Sequence, residues 1–274
     1  MNWKSSTNDV VRRATGYRLV RDQQHGPVLP LPDQSHRHLV APIFILSSVR
    51  SGSTLLRSIM GGHSRLYAPH ELHLRDLQVD LTTEYVTQSM KALGLDKRDL
   101  EHLLWDYMLA REVAKAGKRH LLNKTPHDVF MWRRIEGCWP DARFVFLQRH
   151  PYAVVRSWHA ARPHWSLEEA IDSALKYMET VEEARTSRPG ITVRYEDLTE
   201  DAEAVCGRVC EYLGIDWEPE MLDYAKNDRD TFRAGFGDWT RKIRSGRVQP
   251  AEPLPDPAEV PPRLKDICAA WRYL

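Results

Sequence analysis

Pro42-Ile43-Phe44-Ile45-Leu46-Ser47-Ser48-Val49-Arg50-Ser51-Gly52-Ser53-Thr54-Leu55-Leu56-Arg57 is the stretch that decides the fold. It opens with an apolar run rich in β-formers and too short for a lone helix, so it reads as a buried strand. A turn of small hydroxyl residues with one Gly follows. Leu55-Leu56-Arg57-Ser58-Ile59-Met60 then carries apolar residues at helical spacing. Strand, small-residue turn and helix together make an anion cradle, in which the turn's N–H groups and the helix N-terminus face a phosphate. The hydroxyls of Ser51, Ser53 and Thr54 are expected to add donors.

The details narrow the ligand. A nucleoside-triphosphate loop carries Lys beside its final Ser or Thr. Here Ser53 occupies that place, Ser47 stands where the first Gly should be, and the cation, Arg50, precedes the Gly by two. The arrangement resembles the 5′-phosphosulfate loop of sulfotransferases that use 3′-phosphoadenosine-5′-phosphosulfate (PAPS). Within that family the Arg-Ser-Gly-Ser/Thr-Thr-Leu form is similar to the tyrosylprotein and polyketide-associated branch, whereas many cytosolic members have Lys at the position of Arg50. The resemblance extends over about residues 42 to 250 through spaced motifs. It implies a single α/β domain with a mostly parallel central sheet flanked by helices, and a donor site built on Arg50, Ser51, Gly52, Ser53, Thr54 and Leu55. A P-loop kinase remains the first alternative. It would need the missing Lys and an acidic Mg²⁺ ligand at another strand end. A non-catalytic nucleotide-binding protein of the same fold is the second.

Downstream, Ala142-Arg143-Phe144-Val145-Phe146-Leu147-Gln148-Arg149-His150-Pro151 reads as a buried strand followed by a helix with Pro at its start, where no N–H is lost. Arg149 closes the strand and Ser157 lies two helical turns on. In the family an Arg and a Ser at this spacing bind the 3′-phosphate, and a planar guanidinium suits bidentate contact with phosphate. Tyr195-Glu196-Asp197-Leu198 ends the next expected strand and resembles the segment whose Tyr meets the adenine. The Trp on which cytosolic animal members stack that base has no counterpart at Leu55 or Leu56. The basic stretch Gly235 to Arg247 reads as a solvated linker or, by resemblance, as a loop closing on the nucleotide, with Ser245 on the donor and Arg247 at the 3′-phosphate.

Two stretches carry the candidate chemistry. His63 to His73 holds three His and one Glu just past the first helix. His70 and His73 are three apart after a Pro, not four apart on a helix, so the spacing does not favour zinc. A hydroxyl acceptor needs a base within reach, and the resemblance assigns that role to Glu71, with His73 as its rival. His120-Leu121-Leu122-Asn123-Lys124-Thr125-Pro126 reads as a short strand leading to a helix capped by Thr125. Lys124 then lies at a strand end, and the resemblance places it on the leaving oxygen, where a fixed ammonium stabilises developing charge. The catalytic set is therefore Glu71, Arg50 and Lys124, with PAPS as co-substrate and no metal.

The remaining features set bounds. With 39 basic and 38 acidic residues in 274, the net charge is +1, which argues against a nucleic-acid-binding surface. Residues 1–39, broken by Gly26, Pro27, Pro30 and Pro32, read as an arm before a domain over 40–274, with a short strand near Tyr17 to Val20. No signal-peptide core or membrane-length run is evident, so a cytoplasmic protein is expected, with Cys138, Cys206, Cys210 and Cys268 as reduced, mostly buried thiols. The region 83–117 reads as two helices of a substrate-side lid. The Trp158 to Trp165 segment reads either as packing or as an acceptor wall. A small-molecule or carrier-bound hydroxyl, such as a metabolite or an acyl chain, is the expected acceptor.

Overall fold

The computed structural model describes residues 37–224 and 246–274. The apolar run forms β1 (Ile43–Ser47), with all five residues buried. It is joined by β2 (Leu66–Tyr67), β3 (His120–Asn123), β4 (Arg143–Gln148) and β5 (Gly190–Arg194) in a sheet of order β2-β3-β1-β4-β5. All neighbouring strands are parallel. Parallel neighbours cannot be joined by tight hairpins, so helical crossovers connect them and cover the sheet. Those helices are α1 (Ser53–Gly61), α2 (Glu84–Ala92), α3 (Lys97–Lys115), α4 (Trp132–Cys138), α5 (Pro151–Ala160) and α6 (Leu167–Ser187), followed by α7 (Tyr195–Glu200), α8 (Ala202–Leu213) and α9 (Lys265–Ala270).

The period of two along each strand splits the core into two layers. Phe44, Leu46, Phe144 and Phe146 pack with α3, α4, α5, α6 and α9. Ile43, Ile45, Val145, Leu147 and Val193 pack with α1, α7 and α8. Gly190 faces Phe144 across the β4–β5 pair. A Cβ there would stand 2.4 Å from the Phe146 ring and 2.7 Å from the Phe144 carbonyl, so only Gly lets the strands close. After β1 the chain runs to the β2–β3 side, and after β4 it runs to the β5 side. The carboxyl ends of β1 and β4 therefore flank the point where strand order reverses, where open α/β sheets bind ligands.

Several local expectations change. Thr125 does not cap the following segment with its side chain, and that segment is a 3₁₀ run, Pro126–Met131, leading into α4. Elsewhere, α9 follows a 3₁₀ turn at Pro262–Leu264, and residues Pro219–Asp223 are also 3₁₀. The short strand near Tyr17, almost all of the arm, and Ser245 lie outside the described residues. The four cysteines are buried and form no disulfide, and burial pushes the thiols of Cys210 and Cys268 up to about 11. Among the described residues no helix is long and apolar enough to cross a membrane.

Candidate active site

The turn after β1 is held in an uncommon shape. Arg50 and Gly52 both have positive φ, 58° and 88°. A left-handed conformation at a non-glycine residue stores strain that the surroundings must hold. The Ser51 hydroxyl, buried, donates to the Ser48 carbonyl at 2.7 Å, and Arg149 Nη1 donates to the Arg50 carbonyl at 2.9 Å. Ser51 thus spends its hydroxyl on closing the turn instead of offering it to an anion. Gly52 supplies no cap side chain and α1 has no acid in its first turn, so the amides of Ser53 and Thr54 keep their donors for a ligand.

Gly52 answers a second demand. A Cβ at this position would lie 2.2 Å from Tyr195 Cδ2. Gly52→Ala is expected to cost about 1–2 kcal/mol through the left-handed backbone alone, before the collision with Tyr195 is counted. A lowered melting temperature would be its signature; an unchanged melting temperature would refute the steric account.

The second expected segment meets the first. Arg50 Nε donates to Ser157 Oγ at 3.1 Å, and the Arg149 guanidinium lies 4.6 Å from the centroid of the Tyr195 ring. Arg50, Gly52, Thr54, Leu55, Arg149, Ser157, Tyr195 and Arg247 border one cleft of about 520 Å³, a size suited to a nucleotide. Four arginines face two glutamates there, so the cleft is basic although the chain is almost neutral. Three contributors escaped sequence reading. Arg156 lies with Ala153, Ser157 and Ala160 on the same side of α5, at a helical spacing that the sequence did display. Glu196 accepts from the His150 amide at 3.0 Å and from the Tyr273 hydroxyl at 2.5 Å, and the Gln249 to Pro255 stretch walls the cleft; no local pattern announced either.

Lys124 and Glu71 lie one hydrogen bond behind the cleft. Lys124 is 1% exposed, forms a short ion pair with Glu71, and donates to Thr54 Oγ1 at 3.2 Å. His73 Nε2 is 3.7 Å from the other Glu71 oxygen. The loop carrying Glu71 is tied down from both sides. Buried Arg57 donates from Nη1 to the Ala68 carbonyl at 2.8 Å. Thr125 Oγ1, freed from capping, accepts from the Leu72 amide at 3.1 Å. His63 is a structural residue: its Nδ1 accepts from the Arg65 amide and its Nε2 donates to the Asp216 carbonyl. Among the described residues no group of three His, Cys, Asp or Glu is arranged to hold a metal.

Just beneath Lys124, Asn123 Nδ2 donates to Asp128 Oδ2 at 2.9 Å. Burial pushes the Asp128 carboxyl up to about 7, against the opposing pull of the Asn123 hydrogen bond. Its folded value is raised, so the stability it contributes is fully present below about pH 4 and is lost as pH rises through 7. Asp128→Asn keeps the acceptor for Asn123 without the charge. Urea unfolding should find this variant more stable than wild type by a margin that grows from pH 5 to pH 8. A pH-independent margin would contradict the assignment.

The model of the Sulfotransferase family matches residues 42–219. An uncharacterized protein of Aquifex aeolicus is 29% identical over 226 residues, which is 75% of this chain, but the chain spans only 29% of that protein's length. A putative protein-tyrosine sulfotransferase of Caenorhabditis briggsae is 22% identical over 192 residues, covering 66% of this chain and 68% of the relative. Among solved structures, the sulfotransferase domain from the curacin biosynthetic pathway superposes with a TM-score of 0.62 at 24% identity, over 86% of this chain and 99% of that one, a likeness of fold.

Proposed function

The chain belongs to the sulfotransferase family, and from that premise we propose that it moves a sulfuryl group from PAPS to the hydroxyl of a small metabolite or acyl chain. The observation that carries this reading is the convergence of Arg50, Gly52, Thr54, Arg149 and Ser157 on one basic cleft, with Glu71 and Lys124 joined to it through Thr54. The cradle fits a nucleotide with phosphates at both 5′ and 3′ positions. The uncapped N-terminus of α1 faces one end, and the Arg149 fork with Ser157 offers charge-assisted donors at the other. PAPS supplies an activated sulfur whose bond to the 5′-phosphate oxygen breaks as the acceptor oxygen bonds to it.

The chain's own groups do the rest. Glu71 takes the acceptor's proton, which makes the oxygen a competent nucleophile. Lys124, held against Glu71 and Thr54, brings its ammonium charge to the leaving oxygen. Arg50, fixed by Ser157, brings its charge to the sulfuryl oxygens. These cations act where charge develops, which lowers the barrier more than it tightens ground-state binding. The kinase alternative finds Ser53 in place of the loop Lys, and both oxygens of the cleft's Glu196 are already engaged by His150 and Tyr273. Calorimetry without metal tests the reading. 3′-Phosphoadenosine-5′-phosphate should bind in preference to ADP and ATP, and equal or tighter binding of ATP, strengthened by Mg²⁺, would replace it with the kinase reading.

A further inference from the structure

A second cluster of groups lies beside the loop that carries Glu71, without bordering the cleft. Its floor is aromatic. Phe130 and Tyr177 pack with ring centroids 4.6 Å apart, and His127 stands edge-on to Phe130 at 5.5 Å. Trp158 and Trp165 meet edge-to-face at 6.1 Å. These rings are half-buried, so part of each remains open to a ligand.

Two arginines rest on this floor. Arg75 hydrogen-bonds to His127 Nε2 at 2.7 Å and lies 5.3 Å from the Phe130 centroid. Burial, followed by the Arg75 charge, lowers the His127 pKa, so the imidazole accepts as a neutral ring. Arg162 lies 3.3 Å from the Trp158 centroid and 4.9 Å from that of Trp165. Among the described residues neither guanidinium forms an ion pair with a carboxylate; both are held by neutral rings. A guanidinium stacked on a ring face keeps its in-plane N–H fork available. The fields of these groups overlap: the Tyr177 phenol is raised by burial and then pulled down by Arg75 and Arg162, with Glu71 acting in the opposite sense. Arg162 in turn feels both Tyr177 and Arg50. Geometry ties both groups of rings to the site: the amides of Leu72 and His73, next to Glu71, donate to Thr125 Oγ1, two residues before His127, and Trp158 directly follows Ser157, which accepts from Arg50.

We propose that this is the acceptor site, and that Arg75 and Arg162 select a hydroxyl compound carrying a carboxylate or phosphate on an apolar body that lies against Phe130, Tyr177 and Trp158. The proposal deepens the sulfuryl-transfer reading and rests on it. A negatively charged base repels an anionic acceptor, and two ring-held cations offset that repulsion while fixing which hydroxyl reaches Glu71.

The test uses two matched pairs of probes: 3-hydroxydecanoate with its methyl ester, and 3-hydroxydecanoyl phosphopantetheine with 3-hydroxydecanoyl pantetheine. Equilibrium dialysis against the full chain, with and without 3′-phosphoadenosine-5′-phosphate, gives affinities for wild type, Arg75→Gln and Arg162→Gln. The charged member of at least one pair should bind tenfold or more tighter, as a hydrogen bond to a charged group warrants, and each substitution should shrink that preference. Which pair discriminates identifies carboxylate or phosphate as the anion. Nucleotide binding should stay within a factor of two in both variants, and Arg162→Lys should restore part of the preference. No discrimination in either pair, whether both members bind or neither does, overturns the proposal. So does a substitution that weakens nucleotide binding as much as probe binding, since the arginine would then serve the donor. Failure of wild type to bind 3′-phosphoadenosine-5′-phosphate would be read directly in the calorimetry and would sink the underlying reading instead.

Discussion

Glu71→Gln is expected to lower kcat for sulfuryl transfer by about 10²–10⁴-fold, the usual contribution of a positioned general base. Gln is isosteric and can still accept from Lys124, but it cannot take the acceptor's proton. The loss should fall on kcat, with the affinity for 3′-phosphoadenosine-5′-phosphate nearly unchanged, because Glu71 lies behind the donor cleft and not on its wall. The substitution also removes the charge opposite a fully buried ammonium. Breaking a buried ion pair costs about 3–5 kcal/mol, less where an acceptor is kept, so the melting temperature should drop too. Transfer of radiolabelled sulfate at a temperature well below that midpoint separates the two effects. Full activity in Glu71→Gln would remove it as the base, and His73, 3.7 Å away, would be tested next.

Arg149→Ala is expected to weaken 3′-phosphoadenosine-5′-phosphate by more than a hundredfold. The guanidinium is offered two tasks by the structure. It braces the Arg50 carbonyl in its left-handed conformation, and it stands over Tyr195 with donors left for a phosphate. Losing a charge-assisted contact costs about 1.5–3 kcal/mol, and release of the strained turn adds to this. Arg149→Lys keeps the charge without the fork and should recover only part of the affinity. Binding of ADP, which lacks the 3′-phosphate, should fall much less in Arg149→Ala. An equal loss for both nucleotides would mean that Arg149 acts only by holding the loop.

The cradle could be read early because each of its parts is local. An apolar run, a glycine and a helical repeat are decided within about fifteen residues by sterics and periodicity. Ser157 lies two turns into α5, where helix geometry sets its direction and puts Arg156 on the same side as Ala153 and Ala160. The same local logic misled at Thr125. Thr before Pro satisfies the rule for a helix cap, but its hydroxyl accepts from Leu72, a residue 53 positions away in sequence.

The sequence by itself therefore determined the strand-turn-helix and the residue types gathered at the cleft. The tertiary structure decided which of these groups touch. Glu71 meets Lys124 only because β3 pairs beside β1 and brings its end next to Thr54. Arg57 faces the Ala68 carbonyl across the helix end, and Tyr273 reaches Glu196 from the far end of the chain. The rings under Arg75 and Arg162 come from four separate segments. Backbone sterics and side-chain periodicity act over a few residues and leave a pattern in the chain. Ion pairs and ring contacts between distant segments depend on strand order and helix packing, and so leave none.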